Sequence, residues 1–236
     1  MVKREAFSCK SWRELFLNEA AAADTLDTSA ALELGHSVVL IGDVATVEEC
    51  ETLIATAMGV GVKPHNGRVR TPVQHMFDES KQALCNAILV RVLGLVEKDF
   101  PALRTALFRQ VPLAGCIGNP ELTFAMGEPA VNIYTVSGQF APHEDEESLT
   151  ILTTLSPRES FQGGGTAFWR AGEFVQPALR REDQDCEPAF VLKPPVGTTM
   201  LFGGTVTHAA QHVLSGQRGV FVASVTAPTD LDSLYH

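Results

Sequence analysis

Residues 131–145, VNIYTVSGQFAPHED, pass from an apolar strand pattern through a Ser-Gly-Gln turn to a histidine and a carboxylate two positions apart. The β-branched and aromatic residues of 131–136 favour extended backbone, and Ser137-Gly138 ends it. In an extended segment residues i and i+2 point to one face, so His143 and Asp145 are able to address a single point. The chain around this stretch repeats its rhythm. Short β-rich runs at 121–126, 148–155, 165–169, 189–193, 198–203 and 218–226 alternate with Gly and Pro turns. Many short strands after a helical half predict an α+β fold, mainly β in its core, with a barrel or sandwich braced by helices.

The N-terminal half reads differently. Residues 11–23, SWRELFLNEAAAA, predict a helix capped by Ser11 with Glu14 three residues on. Residues 37–42, SVVLIG, predict a strand. Thr46 and Glu49 form a capping-box pattern opening a helix with Val47, Cys50, Ile54 and Met58 on one face. Residues 59–77 mix Gly, Pro and cations, as a loop with one or two short strands would. A long helix follows over 79–99, with Leu84, Ile88, Val92, Leu95 and Val96 as its buried stripe, and Pro101 opens a second, short helix. Residues 171–188 read as a polar surface insertion.

The 236 residues are 45% hydrophobic and 19% charged, enough for a sizeable core and unlike a disordered chain. Lys and Arg number 18 against 28 Asp and Glu, and the net charge of −10 argues against general nucleic-acid binding. The five cysteines show no metal-ligand spacing, so buried free thiols in a reducing compartment are expected. MVKREAFSCKSWRELF has no apolar signal core and no membrane-length apolar run occurs. The expected setting is therefore cytoplasmic, with no membrane partner. Oligomeric state is not legible.

A third group able to join His143 and Asp145 is His208, in the returning segment 199–225, TMLFGGTVTHAAQHVLSGQRGVFVASV. Two histidines and one carboxylate make the facial triad of non-haem iron(II) oxygenases, which leaves positions open for cosubstrate and O2. His212 competes for the distal role. Arg218, ten residues after His208, opens an apolar strand. A cation facing inward there requires an anion, and a dicarboxylate cosubstrate supplies one.

Residues 37–226 resemble the catalytic domain of the prolyl 4-hydroxylase-type 2-oxoglutarate/Fe(II) dioxygenases. The resemblance lies in SVVLIGDVATVEECETLI, NIYTVSGQFAPHED, GGGTAFW and PPVGTTMLFGGTVTHAAQHVLSGQR, in that order. It implies a double-stranded β-helix, or jelly roll, over a catalytic domain at 36–228, with an N-terminal helical extension at 1–35 and a tail at 229–236. It implies His143, Asp145 and His208 as iron ligands, and Arg218, Tyr134 and Thr153 as contacts to 2-oxoglutarate. Family members often have a tyrosine at the Thr153 position, so cosubstrate contacts differ there. Arg68, Arg70 and Trp169 are expected at the substrate, with the 62–76 loop closing over it.

The cofactors implied are Fe(II), with 2-oxoglutarate and O2 as cosubstrates and ascorbate as candidate reductant. Related halogenases lack the carboxylate that Asp145 supplies, so hydroxylation with release of succinate and CO2 is expected. The leading substrate is a peptidyl proline, and the alternative is a free amino acid or other small molecule. A non-catalytic jelly-roll binding module is the reading from a different class, and an oxidative nucleic-acid demethylase is disfavoured by charge.

Overall fold

A computed structural model of the protein describes residues 12–17, 28–33, 35–76, 78–109, 111–113, 117–145, 147–170 and 187–227. Numbered along the chain, β1 (Trp12–Phe16), β2 (Ser37–Ile41), β11 (Thr199–Gly203), β7 (Leu149–Thr154), β14 (Arg218–Thr226), β5 (Ala130–Tyr134) and β3 (Arg68–Pro72) lie side by side in that order. The short β4 (Thr123–Phe124) pairs with β14. A second sheet runs β10 (Phe190–Leu192), β9 (Thr166–Phe168), β12 (His208–Ala210), β6 (Phe140–His143), and β13 (Val213–Gly216) pairs with β8 (Phe161–Gly163). All these pairs are antiparallel. The architecture is the expected jelly roll.

The large sheet is buried on both faces, and strand alternation divides its side chains. Val38, Leu40, Met200, Phe202, Leu152, Val220 and Tyr134 turn to the second sheet and pack with Phe161 and Phe168. Val39, Ile41, Leu201, Ile151, Phe221, Val131 and Ile133 turn the other way, to the helices. Those helices are α2 (Val47–Gly59), α3 (Glu79–Asp99) and α4 (Pro101–Phe108), after a short α1 (Thr28–Glu33).

The Thr46–Glu49 capping box forms reciprocally at the start of α2. Glu49 also takes a two-pronged contact from Arg91 of α3, at 2.8 and 2.5 Å, tying the two helices together. The buried face of α2 is Cys50, Leu53 and Ala57; Val47 and Met58 are exposed, so the stripe is rotated from the one expected. Cys50 and Cys85 are buried free thiols, pushed by burial up to about 11 and about 12.

Two elements depart from expectation. Residues 12–16 are not helical: WRELF pairs along β2, from Trp12↔Ile41 to Phe16↔Ser37. Glu14 accepts hydrogen bonds from the Thr28 and Ser37 hydroxyls at 2.8 and 2.6 Å, and Trp12 packs on Phe100. An open sheet edge here overrides helix propensity. Within the expected 62–76 loop, residues 68–72 are β3, paired to β5 from Arg68↔Tyr134 to Pro72↔Ala130. Ser11, most of the 171–188 insertion, Glu146 and the 229–236 tail lie outside the described residues. No helix among the described residues is long and apolar enough to cross a membrane.

Candidate metal centre

β6 and β12 are neighbours in the small sheet, and their register sets His143 directly opposite His208. The two rings lie 4.3 Å apart, centroid to centroid. Asp145 follows β6 and is held by its own backbone N–H, which donates to the Gly204 carbonyl at 3.0 Å. Gly204 is required at that approach, because a Cβ there would overlap the Glu147 carbonyl oxygen. Asp145 Oδ1 lies 3.3 Å from His143 Nε2, and Oδ2 lies 3.5 Å from His208 Nε2. The possible ligand atoms of the three residues all fall within 4.8 Å of one another. A divalent ion with bonds of roughly 2.1 Å at right angles wants donors about 3 Å apart, so the two His–Asp separations already suit it and the two histidines would close toward each other on binding.

Each imidazole is oriented the same way. His143 Nδ1 is 2.8 Å from the Ala141 carbonyl, and His208 Nδ1 is 3.0 Å from the Val206 carbonyl. A proton held at each Nδ1 leaves the Nε2 lone pair for the shared point. The Thr150 hydroxyl donates to Asp145 Oδ2 at 2.5 Å and fixes the carboxylate. Burial pushes His208 down to about 4, against the opposing charge of Asp145, so the ring is neutral near pH 7. Burial alone would raise Asp145. The hydrogen bond with the His143 ring, the neighbouring His208 and the Thr150 hydroxyl together outweigh it and hold the carboxyl well below the usual range. A neutral His208 beside an ionised Asp145 is the pair of protonation states that a metal binds.

The three residues line a cavity of about 260 Å³ that extends between the sheets to Arg218, Tyr134 and Asn132. Arg218 is 3% exposed. It donates to Thr166 Oγ1 at 2.6 Å and lies 5.6 Å from the centre of the Tyr134 ring. Among the described residues no carboxylate pairs with it. Burial lowers its pKa to about 10, which still leaves a cation at neutral pH. Burial likewise raises the Tyr134 phenol, which stays protonated. Asn132, two residues before Tyr134 and on the same face, presents a buried Oδ1 with no hydrogen-bond partner. An unpaired guanidinium and an orphaned carbonyl in one cavity suit a ligand carrying both a carboxylate and hydrogen-bond donors, water included.

Arg68 and Arg70 face the same cavity from β3. Arg70 is paired to Glu128 at 3.1 Å, whereas Arg68 lies over the Phe140 ring at 4.2 Å.

Two expected contacts are elsewhere. Thr153 stands on the helix-facing side of β7, opposite Phe221, and hydrogen-bonds Thr199 at 2.7 Å. The inward residues of that strand are Thr150, Leu152 and Thr154, so strand parity takes Thr153 out of the cavity. Trp169 is likewise turned away and packs with Ala167 and Ala209, while Thr166 and Phe168 point inward. His212 lines a separate cavity with Lys193 and Arg158. Sequence reasoning had not singled out Asn132, Thr150 or Thr166. Asn132 was within reach through its i, i+2 relation to Tyr134.

No protein-family model matches the sequence, and no curated protein matches it. Solved structures do match in fold. A prolyl-4-hydroxylase from Pseudomonas putida aligns at TM-score 0.52 and 14% identity, over 88% of this chain and 99% of that one. SnoN, a non-haem alpha-ketoglutarate-dependent epimerase from nogalamycin biosynthesis, aligns at 0.55 and 16%, over 89% and 85%. HygX from Streptomyces hygroscopicus, solved with nickel and 2-oxoglutarate bound, aligns at 0.54 and 14%, over 82% and 83%.

Proposed function

We propose that the chain is a 2-oxoglutarate- and Fe(II)-dependent dioxygenase that hydroxylates a substrate C–H and releases succinate and CO2. One observation carries the reading. A His-Asp-His donor set and a buried arginine without a carboxylate partner among the described residues share a single cavity. Solved relatives in fold that act with 2-oxoglutarate support it.

In this reading His143, Asp145 and His208 hold the iron, and Thr150 keeps the Asp145 carboxylate in position. Bound iron supplies the redox chemistry that couples decarboxylation of 2-oxoglutarate to oxidation of the substrate. Arg218 receives the distal carboxylate of 2-oxoglutarate. Its bond to Thr166 fixes the guanidinium plane beforehand, so little freedom is lost on binding. Tyr134 lies beside that carboxylate, and Asn132 accepts a hydrogen bond from a water or the substrate. Leu152, Val220 and Val222 make the apolar wall that limits water near the reacting groups. The catalytic unit is residues 36–228, with β1 of the N-terminal extension completing one sheet edge.

The first substrate to test is a peptidyl proline, which agrees with the prolyl-4-hydroxylase among the fold relatives. A free amino acid or other small molecule is the second, favoured by a cavity of only about 260 Å³. Ligand cavities commonly run from about 300 Å³ upward. With 2-oxoglutarate inside, the remaining space takes a side chain or a small molecule.

The test is succinate formation with Fe(II), 2-oxoglutarate, O2 and ascorbate as reductant, scored by mass spectrometry for a +16 Da product over prolyl peptides and amino acids. Because one fold relative is an epimerase, the mass change separates hydroxylation from other outcomes. No metal-dependent 2-oxoglutarate binding, with the protein folded, would sink the proposal.

A further inference from the structure

The cavity contains more positive charge than the proposed cosubstrate uses. Three arginines line it: Arg68, Arg70 and Arg218. Arg70 is neutralised by Glu128, whose other oxygen accepts the Ser224 N–H at 2.6 Å, so that pair is part of the wall. Arg218 is assigned to 2-oxoglutarate. Arg68 remains. It is half-buried, and among the described residues no carboxylate pairs with it.

Its place in the sheet is defined. Arg68 of β3 and Arg218 of β14 are both in register with Tyr134 of β5, one on each side. Two strand spacings separate them, about 10 Å. Their side chains also turn to different neighbours, Arg218 to Thr166 and Arg68 to Phe140, so the two guanidiniums address different parts of the cavity. Arg68 rests over Phe140, whose ring meets the His143 ring edge-on at 4.4 Å. The cation therefore lies beside the metal-ligand strand, at the cavity's outer side. Phe140 is 40% exposed, and Met126, also lining the cavity, is 98% exposed. The outer part of the site thus offers a cation without a carboxylate partner among the described residues, seated over Phe140, with the apolar Met126 on the same cavity wall.

We propose that the substrate is an organic acid with an apolar body, its carboxylate bound by Arg68 and its body lying between Phe140 and Met126. This rests on the dioxygenase reading and adds the substrate class. A free amino acid or its N-acyl derivative fits it, and so does the C-terminal residue of a peptide; an internal peptide residue lacking a nearby carboxylate does not. Arg68 selects through its charge, since a neutral amide of the same shape leaves the guanidinium unpaired in a partly desolvated site.

The test uses the 236-residue chain loaded with Mn(II) and 2-oxoglutarate without O2. Binding of N-acetyl-proline, N-acetyl-leucine and hexanoate is measured by calorimetry against the matching amides. The expected result is a preference of tenfold or more for at least one acid over its amide in the wild type. Arg68→Gln should bring that ratio close to one, and Arg68→Lys should retain part of it, which separates loss of charge from loss of fold. A protein that binds 2-oxoglutarate yet binds none of the probes, or prefers no acid over its amide, overturns the substrate class and leaves the reaction class standing. A ratio unchanged in Arg68→Gln overturns the role of Arg68. Failure to bind 2-oxoglutarate at all would bring down both readings.

Discussion

Replacing Arg218 with Met should make the ligand-free protein more stable and nearly abolish its response to 2-oxoglutarate. Methionine keeps much of the arginine's length and volume, so the wall stays filled. Burial that drives Arg218 down to about 10 corresponds to on the order of 3 kcal/mol spent in keeping an unpaired charge between the sheets. Substitution removes that cost and loses the hydrogen bond to Thr166, worth about 1 kcal/mol. The net gain is about 2 kcal/mol, or a melting temperature higher by about 4–8 °C for a chain of this size. The ligand term has the opposite sign. A two-pronged charged contact is worth at least about 3 kcal/mol, so the affinity for 2-oxoglutarate should fall at least a hundredfold. At a 2-oxoglutarate concentration of a hundred times the wild-type Kd, the wild type gains about 2.7 kcal/mol and the variant about 0.4 kcal/mol. Thermal melts with Mn(II), with and without 2-oxoglutarate, read both effects. An arginine with a purely structural role would behave the other way: a lower melting temperature for Arg218→Met with an unchanged 2-oxoglutarate shift would refute the reasoning.

Other substitutions address different parts of the molecule. Thr150→Val removes the hydroxyl that holds Asp145 and should weaken metal binding roughly 10- to 100-fold, with the melting curve of the metal-free protein little altered; titration with Mn(II) reads it. Thr153→Val should leave the KM for 2-oxoglutarate unchanged and cost about 1–2 kcal/mol of stability, since it breaks the buried bond to Thr199 on the helix side of β7. A large rise in KM would return Thr153 to the cavity. Arg91→Ala should cost about 1–2 kcal/mol at neutral pH by releasing Glu49 between α2 and α3. The Arg91 hydrogen bond holds the Glu49 carboxyl below its ordinary value. Its contribution is therefore complete above the unfolded carboxyl's pKa and disappears as pH falls through the folded one. The gap between urea melts of wild type and variant should narrow on acidification to what the Arg91 bond to the Val44 carbonyl contributes, and a constant gap would argue against the ion pair.

Much of the site was readable because its chemistry is local. His143 and Asp145 are two residues apart on extended chain, and Arg218 is a charge opening an apolar strand, a contradiction that a sequence displays by itself. The long helices were equally legible, with Thr46 capping one, the apolar stripe of 79–99 marking another and Pro101 starting the next. What failed was parity. β7, LTILTT, is buried on both faces, so no alternation of polar with apolar residues distinguishes Thr153 from its inward neighbours. The same loss of contrast concealed the outward turn of Trp169. WRELF at 12–16 was misread because its partner, β2, begins 21 residues after Phe16 leaves off, and only that pairing makes it a strand.

The position of β6 has a further consequence. It is the last strand of the small sheet, bonded to β12 alone, and its other edge has no strand partner among the described residues. Two of the three residues able to ligate the metal lie on it or just beyond it, and the third sits on β12. An ion at that point is thus a clasp across the seam between these strands. Filling the site would pin an edge strand that is otherwise held from one side only, so metal binding would also brace the open end of the small sheet.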